Sequence, residues 1–118
     1  MYSVKVEGDF SSAHNLREYK GKCESLHGHN WKVELVVVKE ALDPTGMVVD
    51  FKYLREKLHT VLDALDHQYL NNLPYFKNVN PTSENIAKYI FDQVTSAGVP
   101  VKSLTVWENI SASATYEP

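Results

Sequence analysis

The sequence predicts an α+β domain in which two helices cover one face of a four-stranded antiparallel sheet, in the order ββααββ. Three observations lead to this prediction. Alternating apolar residues near both ends of the chain indicate strands, two central stretches repeat apolar residues at helical spacing, and the last two strands are joined by a hairpin-length connection. The 118 residues suffice for one ordinary domain, so a single domain over residues 1–118 is expected.

The first two strands flank a long loop. Tyr2–His14 alternates loosely, whereas Asn15–Leu26 has no periodicity and is predicted to be a loop. His29–Lys39 is rich in β-branched residues and is apolar at one parity. The residues of that parity are Trp31, Val33, Leu35 and Val37. A turn follows at Asp43–Gly46, and we expect the two strands to pair antiparallel.

The first helix is predicted to begin near Phe51, with Asp50 as its N-cap. Apolar residues at helical spacing give this helix one buried face. They are Phe51, Leu54, Leu58, Val61, Leu62 and Leu65. The pattern stops in Asp66–Asn72, which is polar and precedes a proline, so a loop is expected there.

The second helix is predicted to begin after Pro81, where Thr82 or Ser83 can serve as the N-cap. Its buried stripe is Ile86, Ala87, Ile90, Phe91 and Val94. Gly98 ends the helix, since glycine is the preferred residue just past a helix C-terminus.

The final strands are predicted at Val101–Glu108 and Ser111–Tyr116, separated only by Asn109 and Ile110. An open four-stranded sheet has two exposed edges. Long edge strands usually need a cover, so self-association through the edges is expected.

Composition excludes several classes of protein. The net charge of −3 and the absence of a basic cluster argue against a nucleic-acid partner. No apolar run is long enough to span a membrane, and the N-terminus lacks a leader pattern. Cys23 is the single cysteine, so no intrachain disulfide can form. These features lead us to expect a cytoplasmic protein.

Three histidines predict a metal site. Residues two apart on a strand face the same side, so the imidazoles of His27 and His29 can converge, and an antiparallel partner can place His14 beside them. Three neutral imidazoles suit zinc and leave a fourth position open, which is the arrangement of catalytic zinc sites. Surface histidines at a strand end are the alternative interpretation.

Cys23 has three possible roles. Its thiolate could be a fourth zinc ligand, its side chain could be a small buried hydrophobe, or it could be a catalytic thiol. The polar loop around it contains Lys20 and Lys22, which favour the thiolate form. Ligation would close the zinc site and catalysis would leave it open, and residue chemistry alone does not choose between them.

The Asp66–His67 pair and Glu108 are further candidates for the functional site. The adjacent Asp66 and His67 could form an acid–base relay, or they could be a polar helix terminus whose histidine faces the helix dipole. Glu108 ends the apolar face of its strand, so it lies at the sheet rim or in a pocket. In a pocket it could accept two N–H donors from the guanidine-like edge of a heterocycle.

Together these segments resemble the 6-pyruvoyltetrahydropterin synthase family over nearly the whole chain. The matching motifs, in order, are Phe10-Ser-Ser-Ala-His14, Cys23-Glu-Ser-Leu-His27-Gly-His29-Asn30, Met47-Val-Val-Asp50-Phe51, Leu65-Asp-His67-Gln-Tyr-Leu-Asn71, Pro81-Thr-Ser-Glu-Asn85 and Trp107-Glu108. The resemblance implies the tunnelling fold (T-fold), in which subunits close their sheets into a barrel, commonly as a trimer or as a hexamer of two stacked trimers. It also implies active sites between subunits.

The resemblance further implies site roles. Zinc is expected on His14, His27 and His29, with Cys23 as general base and with Asp66 and His67 as proton relay. Glu108 would bind the pterin edge, with Thr82 and Ser83 as lesser substrate contacts.

The C-x-x-x-H-G-H spacing resembles the bacterial 6-carboxytetrahydropterin synthases of queuosine biosynthesis. Their reaction converts 7,8-dihydroneopterin triphosphate to 6-carboxy-5,6,7,8-tetrahydropterin, acetaldehyde and triphosphate. Two alternatives to this activity exist within the family. Glu24 is compatible with a folate-linked aldolase, and the other alternative is a pyruvoyl-forming synthase. Outside the family, a zinc hydrolase or a zinc-stabilised binding module remains. The cations that would hold the triphosphate are unranked among Arg17, Lys20, Lys22 and Lys52.

Overall fold

The computed structural model describes all residues from 1 to 118. In chain order its elements are β1 (Tyr2–His14), β2 (His27–Lys39), α1 (Phe51–Asp63), the single-turn 3₁₀ helices Leu70–Asn72 and Pro74–Phe76, α2 (Ser83–Ser96), β3 (Val101–Asn109) and β4 (Ala112–Tyr116). The strands form one antiparallel sheet in the order β1-β2-β3-β4. This arrangement confirms the predicted ββααββ layout.

Both helices pack on one face of the sheet, because the buried side chains of helices and strands form a single cluster. The predicted apolar parity of β2 is buried along its whole length, from Trp31 to Val37. Phe51 is an exception to the predicted burial, with 48% of its surface exposed. The covered part of α1 begins one turn later, at Leu54, so the first residue of the helix extends past the core.

The helix termini follow the predicted capping. The Asp50 side chain accepts the Lys52 backbone N–H, and the Thr82 hydroxyl accepts the Asn85 N–H. Thr82 is therefore the N-cap of α2, and Ser83 is its first helical residue. Gly98 follows α2 with a φ of +101°, a conformation that favours glycine.

Strand β2 begins at His27, two residues earlier than the sequence pattern indicated. The early start matters because it places both His27 and His29 inside the sheet. His27 is paired with His14, the last residue of β1, and His29 is paired with Ser12. Regular pairing continues to the ends of both strands, so backbone hydrogen bonds fix the relative positions of these residues.

Gly8 sets how closely α1 approaches β1. A Cβ built at Gly8 would lie 2.8 Å from Leu62 Cδ1, which is closer than two carbons pack. The absent side chain therefore lets the helix lie directly on the strand. Neither α1 nor α2 has the length and apolar character that a membrane-spanning helix needs.

Candidate metal centre and active site

The three histidines come together at one end of the sheet, as the sequence predicted. They lie on the helix-covered face, His14 at the end of β1 and the other two at the start of β2. Gly28 lies between His27 and His29 without a side chain. His14 is buried, while His27 and His29 are half-buried, so part of the centre is accessible to solvent.

The separations between the ring nitrogens and Glu108 match those of a tetrahedral metal site. His14 Nε2 lies 3.1 Å from His27 Nε2. Glu108 Oε1 lies 2.9 Å from His29 Nε2 and 3.7 Å from His14 Nε2. All four ligand atoms lie within 4.8 Å of one another. Ligands about 2.0–2.1 Å from a tetrahedral zinc are separated by roughly 3.3 Å, so the group has the right size for such an ion.

Backbone carbonyls orient two of the imidazoles. His14 Nδ1 donates to the carbonyl of Pro81 and His27 Nδ1 donates to the carbonyl of Ser25, each at 2.8 Å. Because a carbonyl only accepts, each Nδ1 carries a proton, and in a neutral imidazole the Nε2 then presents a lone pair. Second-sphere bonds of this kind orient histidine ligands in metal sites.

The resulting arrangement favours a bound cation. Two unprotonated Nε2 atoms face each other across 3.1 Å, which is unfavourable unless a positive charge lies between them. Burial lowers the pKa of His14, which disfavours a proton as that charge. The Nε2 of His29 is buried and makes no well-aligned hydrogen bond. These donors fit a divalent metal ion.

Trp31 lies beneath the centre. Its ring is edge-on to the His14 and His29 rings, with centroids 4.9 and 5.1 Å away, and it is fully buried. The indole Nε1 donates to the Ser12 carbonyl at 3.3 Å. This aromatic floor limits side-chain movement and keeps water from the inner side of the site.

A polar network ties the segment after His14 to the rest of the protein, and sequence reasoning missed it. The Asn15 N–H donates to Asn71 Oδ1, and Asn71 Nδ2 donates back to the Asn15 carbonyl. Tyr69 Oη donates to Asn15 Oδ1, and Asn15 Nδ2 donates to the Glu24 carbonyl. Asn15 thus links His14 to the loop that leads to His27.

Arg17 forms the second part of this network. Its guanidinium donates to the carbonyls of Asn71, Phe76 and Val79. Its backbone N–H and carbonyl form a reciprocal pair with the Asn80 side chain. Asn80 precedes Pro81, so the network holds the carbonyl that orients His14. The only feature of the sequence that could have indicated this network is the asparagine content of the predicted loops, since side-chain amides can form hydrogen bonds with loop backbone groups.

Asp66 and His67 form the predicted pair, but away from the metal group. Asp66 Oδ2 lies 2.9 Å from His67 Nδ1, and Asp66 Oδ1 accepts the Ser11 N–H at 2.8 Å. Both contacts lower the pKa of Asp66, and the hydrogen bond from the Ser11 N–H has the larger effect. The His67 side chain is 83% exposed, at the outer edge of β1. Its imidazole faces solvent and does not join the three histidines.

The backbone at His67 is strained and firmly held. Its φ is +55°, in the left-handed region that costs a non-glycine residue energy. Its N–H donates to the Ser11 carbonyl at 2.6 Å, and the Ala13 N–H donates to the Gln68 carbonyl at 2.9 Å. The segment predicted as a simple loop therefore runs beside the outer edge of β1, which fixes where the Asp66–His67 pair sits.

Cys23 is exposed and lies outside the metal group, so it is not a buried hydrophobe. The neighbouring Glu24 lies beside His27: its Oε1 is 3.8 Å from His27 Nδ1 and accepts the Leu16 N–H at 3.2 Å. Glu24 approaches the imidazole from the side away from the metal position. Of the two residues, only the glutamate touches a histidine of the site.

The other candidate substrate residues divide by position. Thr82 and Ser83 directly follow Pro81, whose carbonyl holds His14, so they lie beside the site. The Arg17 guanidinium is already occupied by three carbonyls. Lys52 lies in the first turn of α1, which borders the start of β1 at the opposite end of the strand from His14. Lys20 and Lys22 are exposed on the loop that carries Cys23.

The fold and the site define a class: an α+β domain with a candidate three-histidine metal centre at the end of its two longest strands. Residues 3–118 match the family described as 6-pyruvoyl tetrahydropterin synthase. The chain belongs to this family, which confirms the resemblance found in its motifs.

Relatives within the family have two different names. The chain is 38% identical to the 6-carboxy-5,6,7,8-tetrahydropterin synthase of Synechocystis, over 98% of this chain and 93% of the relative. It is 39% identical to the 6-pyruvoyl tetrahydrobiopterin synthase of Poecilia reticulata, over 81% of this chain and 74% of the relative. The solved structure of Caenorhabditis elegans 6-pyruvoyl tetrahydropterin synthase is 30% identical and has a TM-score of 0.88, covering 99% of this chain and 95% of that chain.

Proposed function

We propose that this protein is a zinc-dependent 6-carboxytetrahydropterin synthase of queuosine biosynthesis. Its reaction would convert 7,8-dihydroneopterin triphosphate to 6-carboxy-5,6,7,8-tetrahydropterin, acetaldehyde and triphosphate. The convergence of three imidazoles at one end of the sheet is the observation that carries the proposal. The carboxy-named relative at 38% identity, matched over nearly its whole length, supports the choice of branch.

The proposal gives each site residue a role. Zinc on His14, His27 and His29 would supply Lewis acidity toward the hydroxyl oxygens of the pterin side chain. Glu108 would accept the N–H groups of the pterin edge, with Thr82 and Ser83 as neighbouring contacts. Cys23 would be the general base. It lies four residues before His27, and this length of chain can span roughly 13 Å, so its loop can bring the thiol to the site.

The protein is proposed to work as an oligomer, a trimer or a hexamer of two trimers, with sites between subunits. The outward backbone groups of Ser11 and Ala13 are covered by the segment that contains His67. Every second residue from Ser3 to Asp9 also points its backbone N–H and C=O groups outward, and no segment covers these groups. A second copy of the chain can therefore pair there by strand addition. In such an assembly the exposed His67 would serve a substrate bound to a neighbouring chain's metal.

The decisive experiment is incubation of the zinc-loaded protein with 7,8-dihydroneopterin triphosphate, followed by identification of the pterin and of the small fragment. Acetaldehyde together with a 6-carboxy pterin is expected. A pyruvoyl pterin without a two-carbon fragment would instead assign the protein to the branch named by the Poecilia reticulata relative. Sedimentation analysis tests the oligomer, and a monomer at assay concentration would contradict it.

A second activity has a specific observation in its favour. Glu24 Oε1 lies 3.8 Å from His27 Nδ1, so a carboxylate lies beside a histidine of the site, whereas the Cys23 thiol is exposed. A carboxylate base suits the folate-branch aldolase, whose product keeps one carbon of the side chain as a hydroxymethyl group. The same incubation detects this product. Loss of it in Glu24→Gln but not in Cys23→Ala would assign that activity to Glu24.

A further inference from the structure

Glu108 occupies an unusual position for a residue whose expected partner is a pterin. It lies on β3 with the parity of the buried Leu104 and Val106, on the helix-covered face. The pairing of β3 with β4 shifts register between Trp107 and Asn109, so an irregularity occurs at Glu108 itself. Such bulges redirect side chains and are frequent beside active sites. Here the carboxylate reaches the histidines.

The carboxylate takes the fourth corner of the histidine group. Its Oε1 is 2.9 Å from His29 Nε2 and 3.7 Å from His14 Nε2, close to the roughly 3.3 Å edges of a tetrahedral zinc site. It makes no other side-chain hydrogen bond or ion pair in the structure. Three neutral imidazoles leave the charge of a divalent ion uncompensated, and an adjacent carboxylate reduces it.

We propose that Glu108 is an exchangeable fourth ligand of the metal, bound while the pterin pocket is empty and released when a pterin arrives. The ligand role depends only on the histidine group. The release step rests on the proposed function, because it requires the same carboxylate to turn toward the pterin. Glu108 would thus close the metal centre at rest and open it only with substrate present.

Two features make exchange feasible. The Glu108 side chain is 33% exposed, so it can move without opening the core, unlike the 4% exposed side chain of His14. Second-sphere hydrogen bonds to backbone carbonyls also hold His14 and His27, whereas no such bond holds Glu108. All three histidines also lie in paired strands, so they are the permanent ligands and the glutamate is the replaceable one.

The test is metal binding without turnover. Metal-free wild type and Glu108→Gln are titrated with Co²⁺, with affinity measured by competition with a chelator and coordination followed by the visible d–d absorption. Glu108→Gln is expected to bind Co²⁺ at least about tenfold more weakly and to show a different spectrum. Equal affinity and an identical spectrum would overturn the ligand role.

Glu24→Gln is the matched control, since it removes the same charge from the Nδ1 side of His27, where no metal can be reached. An equal loss of affinity in this control would show general electrostatics and overturn ligation. The metal-free melting temperature of each variant shows whether it folds. If Glu108→Gln does not, Glu108→Asp keeps the charge but shortens the side chain, and it is expected to weaken Co²⁺ binding likewise.

Biopterin, a stable pterin without triphosphate, tests release. It should bind the Co²⁺-loaded wild type and change the d–d spectrum. Binding with an unchanged spectrum would overturn the release step. Complete failure to bind would count against the proposed function and the release step together, while a tenfold Co²⁺ effect would still support the ligand role.

Discussion

The candidate metal centre and the residues proposed for proton transfer differ sharply in how the fold holds them. The histidines sit in paired strands, above a buried tryptophan, with backbone carbonyls that orient two rings. Cys23 and His67 are exposed, and neither touches the histidine group. One chain therefore suffices to bring the three histidines together, whereas the roles proposed for Cys23 and His67 would require a loop movement or a second chain.

The comparison predicts that metal binding and turnover can be separated by substitution. The largest effect is expected for His27→Ala, which should lose at least about 100-fold in metal affinity, and activity with it, because a ligand matters at least as much as a second-sphere partner. Chelator competition and a turnover assay measure both. A metal-free variant with full activity would refute the site.

Cys23→Ala should lose activity but keep its metal. Removal of a general base typically costs about 10²–10⁴ in rate, and an exposed residue outside the metal group should leave zinc content unchanged. Turnover and metal analysis on the same sample provide the check. Loss of zinc in this variant would favour Cys23 as a ligand and contradict the separation of metal binding from proton transfer.

Arg17→Met tests the network that supports the metal side. Three backbone carbonyls would lose their donors, and destabilisation of about 1–3 kcal/mol is expected in denaturant unfolding. Metal affinity should also fall, because Asn80 and Pro81 would be held less firmly. Arg55→Met, at an exposed arginine on α1, is the control and should change neither.

The smallest effect concerns Asp66 and its pH dependence. Its pKa is below the usual 3.8 because Ser11 and His67 stabilise the carboxylate, so the native state favours the charged form. This contribution is present above pH 3.8 and disappears as the pH falls through the lower native value. Wild type should therefore melt above Asp66→Asn at neutral pH, with the two curves converging in acid. A constant difference down to pH 2 would contradict this assignment.

Much of this architecture follows from local pattern. Parity predicted the buried face of β2, helical spacing predicted the covered faces of α1 and α2, and the caps at Asp50 and Thr82 followed from residue type. The exposure of Phe51 could not be predicted in this way, because periodicity does not show where a helix extends past the core. The start of β2 at His27 was also missed, since Gly28 between two histidines carries no strand signal.

The sequence by itself determined the family, the order of elements and the three histidines, because each depends on residue types at short spacing. Only the tertiary structure decided what surrounds them. Glu108 joins the histidines, Arg17 and Asn80 hold Pro81, and Cys23 stays outside, all through contacts between segments far apart in the chain. Such contacts depend on strand register and on which carbonyls loops leave unsatisfied, and neither property is encoded in a local pattern.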